Sequence, residues 1–167
     1  MTLRIEWLER VDTEEAAINV LTAAGILRLY LCNDVITKTE WCLGGLEMDL
    51  SDSELARRVQ TYLHNQSCDL AIKLLKQGTN YRHKVWNEIC KIPAGEVIYY
   101  SDLAKKVDSG ARAVANACRD NPFPGIIPCH RVLSKSGLGG YMGQTRGRFL
   151  TIKKKLLAIE AGSYEMD

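Results

Sequence analysis

The residues best placed to do chemistry lie in one run, Asn121-Pro122-Phe123-Pro124-Gly125-Ile126-Ile127-Pro128-Cys129-His130-Arg131-Val132. Prolines at 122, 124 and 128 fix φ and turn the residues before them away from helix. The run is therefore expected to be a rigid extended loop holding a cysteine beside a histidine. A thiolate reacts and a thiol does not, so Cys129 needs a base or a positive field, which His130 and Arg131 could supply. Neighbouring side chains on an extended chain point to opposite sides, so direct contact between Cys129 and His130 would require a bend or a bridging water. A buried structural cysteine beside a core histidine is the plainer alternative, and for a random Cys-His dipeptide it is the better one.

Other reactive residue types give weaker signals. Cysteines stand at 32, 42, 68, 90, 118 and 129, with no Cys-x-x-Cys pair and no close Cys/His cluster. Neither a disulfide framework nor a structural metal is expected, and the five besides Cys129 read as structural thiols. His64 and His83 read as surface or helix-face histidines. Lys153-Lys154-Lys155 reads as a solvated helix face that could add nonspecific attraction to a polyanion.

Several elements must position the reactive run. Asp12-Thr13-Glu14-Glu15 resembles a capping box ahead of Ala16, Ala17, Val20, Leu21 and Ala24, which predicts a helix ended by Gly25. Ile26 to Leu31 and Val35 to Cys42 are β-rich runs around the turn signal Cys32-Asn33-Asp34, a hairpin. Ser51-Asp52-Ser53-Glu54 opens a helix through Leu55, Val59 and Leu63. Lys76-Gln77-Gly78-Thr79-Asn80 is the linker candidate, and from Tyr81 the spacing of Val85, Trp86, Ile89 and Cys90 marks a helix that Pro93 and Gly95 terminate. After the extended run Val97 to Tyr100, Ser101 and Ser109 can cap two short helices, Asp102 to Val107 and Gly110 to about Arg119. A tight turn containing Asp108 joins them, the spacing of a helix-turn-helix. The second helix alternates Ala111, Ala113, Ala115 and Ala117 with Arg112, Asn116 and Arg119. It is either a helix filled with the best helix former, or one whose small side chains let its backbone approach a groove.

Composition bounds these readings. With 167 residues, 46% hydrophobic and 25% charged, the chain has the make-up of a folded protein, not a disordered or fibrous one. Its net charge of +2 hides an asymmetry. Residues 1–78 carry 8 basic and 12 acidic side chains, and residues 79–167 carry 14 and 8. Two domains are expected, 1–78 and 79–167, the second suited to a polyanion. Charges at Arg4 and Glu6 interrupt any leader-like apolar run, so an intracellular protein is expected, nuclear in a eukaryote and cytoplasmic in a prokaryote, with no membrane partner.

Pro128-Cys129-His130-Arg131-Val132, with Asn121-Pro122 before it and Gly139-Gly140-Tyr141 after it, resembles the active-site signature of the O6-alkylguanine-DNA alkyltransferases, the methylated-DNA-protein-cysteine methyltransferases. The resemblance runs from about Gly78 to Gly162. It includes Gly78-Thr79-x-Tyr81, Val85-Trp86, Ile92-Pro93-x-Gly95, Val97-x-x-Tyr100, Ala111-Arg112-Ala113-Val114 and Leu156-Leu157-Ala158-x-Glu160.

The elements together predict an α+β protein, a small N-terminal α/β unit with a hairpin sheet and a mostly helical C-terminal domain with a helix-turn-helix, and the N-terminal half matches the family only in size and in its α+β character. The resemblance implies that Cys129 accepts the alkyl group from O6-alkylguanine, with O4-alkylthymine as a secondary substrate, in a stoichiometric, suicidal reaction without a cofactor. His130 is implied as the base acting through a water and Glu160 as the acid behind it. Tyr100 is implied as a proton donor toward guanine N3, and Asn121 as the tie at the active-site loop. Arg112 would enter the duplex, and Ala113, Asn116, Arg119, Tyr100 and Arg131 would meet DNA. The implied partner is double-stranded DNA with alkylated bases, bound by a monomer. This chain departs from the family in a shorter span between Tyr100 and Arg112, in Ala115-Asn116 where small residues are usual, and in a longer, more basic segment from Met142 to Phe149. The alternatives are a noncatalytic module that binds alkylated bases, which would lack the reactive cysteine, and a sequence-specific regulator.

Overall fold

Residues 3–12, 15–44, 48–64 and 68–162 are described in the computed structural model. The chain divides into two units, Met1–Gln77 and Gly78–Asp167. The first holds strands β1 (Leu3–Leu8), β2 (Ala16–Thr22), β3 (Gly25–Cys32), β4 (Val35–Cys42) and β5 (Leu70–Leu75), with helix α1 (Glu54–His64). Sheet order is β1-β5-β4-β3-β2. Strands β2, β3 and β4 form an antiparallel meander, and β5 runs parallel to both β1 and β4. The β3–β4 hairpin is present as expected, with Cys32 paired to Val35 and Asn33 taking the left-handed φ of 55° that a two-residue turn requires.

The helix expected over 16–24 is instead β2, and Thr13 and Glu14 of its supposed capping box lie outside the described residues. Ile18, Val20 and Thr22 put a β-branched side chain at every second position, where they pair with Leu29, Leu27 and Gly25 of β3. An isolated helix of nine residues is marginal in water, so the ladder prevails. Gly25 opens β3 and ends no helix. Strands β1 and β5 complete the sheet, with Leu70, Ile72 and Leu74 buried on one face of β5. In α1, Ser53 is the cap, its Oγ accepting the Ala56 amide at 3.3 Å, and Ala56, Val59 and Leu63 face inward. Each large apolar side chain buried in this core, such as Leu27, Leu29, Ile36 and Val59, contributes about 1.5–3 kcal/mol relative to exposure.

The second unit holds α2 (Asn80–Cys90), α3 (Tyr100–Lys106), α4 (Ala111–Arg119) and α5 (Arg148–Glu160), and a parallel pair, β6 (Ile98–Tyr99) and β7 (Val132–Leu133). Thr79 caps α2 through Oγ1, which accepts the Arg82 amide at 3.1 Å. Trp86 is fully buried and donates its indole N–H to Ala117 O at 2.9 Å, seating α4 on α2. The ring leaves no room beside Gly78, where φ is +91° and a Cβ would stand 2.8 Å from it.

Neither expected serine cap forms. Ser101 lies inside the first turn of α3, its Oγ buried without a hydrogen bond, and Ser109 Oγ pairs with the Tyr81 hydroxyl at 2.7 Å. The turn is held by the backbone instead. Asp108 adopts φ 54°, and the Ser109 amide returns to Ala104 O at 2.9 Å, a helix end of the left-handed kind. Gly110 then caps α4 without a side chain. Among the described residues no helix is long and apolar enough to cross a membrane. The architecture is α+β, with a mixed five-stranded sheet in one unit and mostly helix in the other.

Candidate active site

The reactive run is bent, not extended. Pro128 sits at φ −81°, ψ 60°, the geometry of an inverse γ-turn, and the Cys129 amide bonds back to Ile127 O at 2.8 Å. Cys129–Arg131 then forms one 3-10 turn, closed by the Arg131 amide on Pro128 O at 3.0 Å. Phe123, Ile126 and Ile127 are fully buried and anchor the segment. Rigidity therefore comes from apolar packing and local turns as much as from proline. The bend fans Cys129, His130 and Arg131 around a turn axis, so neighbouring side chains do different work without pointing to opposite faces.

Asn121 fixes the cysteine. Its Oδ1 accepts the Phe123 amide at 2.9 Å, which commits its Nδ2 to donate, to Ile127 O at 3.1 Å and to Cys129 Sγ at 3.1 Å. Burial pushes the Cys129 thiol well above its ordinary pKa, and the neighbouring Cys118 adds to the shift. The Asn121 bond opposes both, because a donor favours the thiolate.

The next two residues of the turn belong to a buried charged set. His130 Nε2 meets Glu160 Oε1 at 2.6 Å. Arg131 holds the same carboxylate at two points, Nε to Oε2 at 2.9 Å and Nη2 to Oε1 at 2.8 Å, while its Nη1 donates to Ile92 O at 2.6 Å. Burial would raise the Glu160 carboxyl, but His130 and Arg131 outweigh it and bring it down to about 2. An ionised Glu160 can only accept, so the imidazole proton sits on Nε2. Nδ1 is then the basic nitrogen, and it is buried with no hydrogen-bond partner. Burial lowers the His130 pKa, with Glu160 opposing, so the ring is neutral at pH 7 and able to take a proton.

A cavity of about 250 Å³ opens onto Cys129. Tyr100 of α3, Asn116, Cys118 and Arg119 of α4, and the Gly140–Thr145 segment form its walls. Gly139 (φ +74°) and Gly143 (φ +78°) are required by close approach. A Cβ at Gly139 would stand 3.1 Å from the Tyr100 ring, and one at Gly143 3.3 Å from Arg119 Cγ. Burial raises the Tyr100 pKa, so the phenol keeps its proton. The long Met142 segment is a tight turn, with Met142 and Gly143 both at positive φ and Tyr141 and Gln144 exchanging backbone bonds of 2.8 and 3.0 Å.

Arg112, Ala113, Asn116 and Arg119 are all exposed and fall on one face of α4, while Val114, Ala117 and Cys118 face inward. Arg119 also pairs with Asp120. Arg131, expected to meet DNA, does not belong to this face. It is 2% exposed and its guanidinium is taken up by Glu160 and Ile92 O, so its work is internal. Two residues that sequence reading left aside enter the site. Cys118 shares the cavity with Cys129. Lys153, read as part of a solvated face, is fully buried and bonded to Val132 O and Gly140 O. Helical spacing signals this, since Lys153 falls three residues from both Leu150 and Leu156 on the buried stripe of α5. His83 is likewise buried, edge-on to Trp86, and His64 accepts the Ala23 amide. The six cysteines are unpaired thiols.

A family model described as 6-O-methylguanine DNA methyltransferase, DNA binding domain, matches residues 80–162. The methylated-DNA-protein-cysteine methyltransferase of Archaeoglobus fulgidus is 38% identical over 113 residues, 66% of this chain and 76% of that one. The crystal structure of the Mycobacterium tuberculosis O6-methylguanine methyltransferase matches with a TM-score of 0.74 at 27% identity, covering 92% of this chain and 97% of that one. The M. tuberculosis OGT in complex with DNA matches with a TM-score of 0.71 at 27% identity, over 88% and 93%. With a relative this similar along most of its length, and with Cys129 at the cavity and the next residue, His130, paired to Glu160, the chain belongs to the methylated-DNA-protein-cysteine methyltransferase family.

Proposed function

We propose that the chain repairs alkylated DNA by moving the alkyl group from guanine O6 onto its own Cys129, once per molecule. The observation that carries this is Cys129 at the cavity with its Sγ held by Asn121, adjacent in the chain to His130, which pairs with Glu160. The thiol proton passes to His130 Nδ1 through a water, and Glu160 stabilises the imidazolium. The thiolate attacks the alkyl carbon in line. A carbon–sulfur bond forms as the carbon–O6 bond breaks, and the electron pair stays with the base. Tyr100 supplies a proton toward N3 as charge grows there, which suits a phenol that burial keeps protonated. The thioether has no hydrolytic route back, so neither a cofactor nor turnover is needed.

An alkylated base cannot be attacked inside the stack, so the nucleotide must leave it, at a cost of a few kcal/mol that weak pairing of the lesion reduces. The exposed face of α4 suits this task. Ala113 permits close approach to a minor groove, Asn116 and Arg119 border the cavity, and Arg112 fills the space of the extruded nucleotide. Residues 79–167 are on this reading the DNA-binding and acceptor domain. O4-alkylthymine fits the same chemistry as a poorer substrate.

The test is stoichiometry. Duplex carrying labelled O6-methylguanine, titrated with the full chain, is expected to transfer one methyl per protein and then stop, with O4-methylthymine reacting more slowly. Binding of the lesion without transfer would establish the noncatalytic module instead, and continued turnover would refute acceptance by the protein.

A further inference from the structure

Between Asp120 and Glu160 the chain has no acidic residue but seven lysines and arginines. Arg131 and Lys153 are buried, and Glu160 is taken up by His130 and Arg131. The others reach the surface, and three of them, Arg146, Arg148 and Lys154, line one open groove of about 760 Å³. Ser134, Ser136 and Thr151 put hydroxyls on the same walls, and none of the lining residues is acidic.

Several exposed lysines elsewhere stand beside a carboxylate: Lys38 with Glu40, Lys73 with Asp34, Lys91 with Glu88 and Lys105 with Asp102. Arg146 and Lys154 have no such partner among the described residues. Like charges gathered without counter-ions repel one another and attract an anion. The groove also holds the start of α5, where Gly147 supplies no side-chain cap and the first turn has no acid. The helix dipole therefore adds to the positive field of the side chains.

The groove adjoins the acceptor cavity. Gly140 and Thr145 line both, while no residue of α4 lines the groove. The cavity thus has two rims, α4 on one and the basic groove past the Gly140–Thr145 segment on the other. A nucleotide entering the cavity stays covalently tied to its own strand, so the phosphates on either side of it must cross a rim. Successive charges on one strand stand about 3.4 Å apart along the duplex axis, close enough for two cations in one groove to answer neighbouring phosphates. Arg146 and Arg148 belong to the long basic segment in which this chain departs from its family.

We propose that this groove binds the backbone of the lesion-bearing strand beside the extruded nucleotide, with Arg146 and Lys154 each neutralising one phosphate. It is a DNA contact separate from the face of α4, and it rests on the reading of the chain as a DNA alkyltransferase. Phosphate contacts fix register without reading bases, so the groove serves any sequence around the lesion.

The test uses the full chain with Arg146→Gln, Lys154→Gln and the two together. Each is combined with Cys129→Ala, so that O6-methylguanine duplex is bound and not consumed, and affinity is followed against salt. Relative to the Cys129→Ala parent, each single variant is expected to lower the logarithmic salt slope by about 0.9, and the double variant by nearly twice that with binding weakened about tenfold at about 0.1 M salt. Neutral methylphosphonates then replace single phosphates close to the lesion on either strand. On the lesion strand at least one replacement should weaken binding by the parent and have no further effect on the double variant. On the complementary strand the two proteins should respond alike. A slope unchanged in the double variant, or a lesion-strand penalty that persists in it undiminished, overturns the proposal. With Cys129 intact, methyl transfer at saturating protein should stay within about twofold of the unsubstituted chain, since neither residue lines the cavity. A larger loss would place them in the acceptor site and overturn the assignment. Failure of the unsubstituted chain to accept a methyl group counts against the transfer reaction alone, because slopes and methylphosphonate penalties are read without transfer.

Discussion

Glu160 is the residue on which the interior of the second unit turns, since its carboxylate serves His130 and Arg131 together while the three side chains are at most 3% exposed. Removing one partner of such a set leaves the other's charge unpaired and costs about 3–5 kcal/mol, far more than an exposed ion pair is worth. Arg131→Ala should therefore melt well below the parent, and its fluorescence-monitored urea transition should fall by an amount in that range. The sign with pH follows from Glu160. Its folded pKa of about 2 lies below the ordinary 4.5, so its stabilisation is complete above about 4.5 and is lost as pH falls toward about 2. Acid titration of Glu160→Gln should lack the part of the parent's stability loss that belongs to that window; an unchanged acid limb would show that the carboxylate is not what holds the set. Arg131 illustrates where sequence reading stops. Pro128 to Val132 could be recognised as a reactive string, but whether an arginine points to a phosphate or to a buried carboxylate depends on Glu160, about thirty residues away. Lys153 was misplaced for a different reason. Three consecutive lysines suggest a solvated face, although helical spacing alone puts the first of them among Leu150 and Leu156.

At the scale of elements, α4 and the Gly140–Thr145 segment line the cavity, and Gly139 precedes that segment. Gly139 has both a left-handed φ and a Tyr100 ring 3.1 Å from where a Cβ would be. Gly139→Ala should displace Tyr100 and slow transfer more than it weakens DNA binding; equal loss of both would indicate general damage. On α4, Arg112 is exposed on the first turn, on the same face as Asn116 and Arg119. Arg112→Ala is expected to slow transfer from duplex by at least about tenfold more than transfer from free O6-methylguanine. The same slowing with both substrates would remove the part assigned to Arg112 in base extrusion. These elements were readable to different degrees. Trp86, Val85 and Ile89 announce α2, and Asn33-Asp34 announces the hairpin, because in both the local signal agrees with the tertiary outcome. Residues 16–22 carry alanines and an acidic lead that favour helix, and pairing with β3 overrode them. Ser101 and Ser109 look like caps in sequence, yet a left-handed Asp108 and Gly110 terminate and start the helices, a choice that only the packed turn reveals.

For the molecule as a whole, the charge asymmetry between residues 1–78 and 79–167 coincides closely with the division at Gly78. The basic half carries the cavity, the Cys129–Arg131 turn and the exposed face of α4, so the proposed DNA contact and the proposed chemistry fall in the same unit. DNA binding by the full chain should weaken steeply with salt, by about 0.9 in the logarithmic slope for each phosphate neutralised, while saturated transfer changes little. A flat salt response would detach the basic balance from DNA. The central claim concerns one sulfur atom, and Cys118 in the same cavity makes it a real choice between two. The direct measurement is to react the full chain with O6-methylguanine duplex, digest it and map the methyl group by mass spectrometry, with Cys129→Ala alongside. The account predicts a single methyl on the Cys129 peptide and none anywhere in Cys129→Ala, which should still bind the lesion. A methyl found on Cys118, or an undiminished transfer by Cys129→Ala, would contradict it.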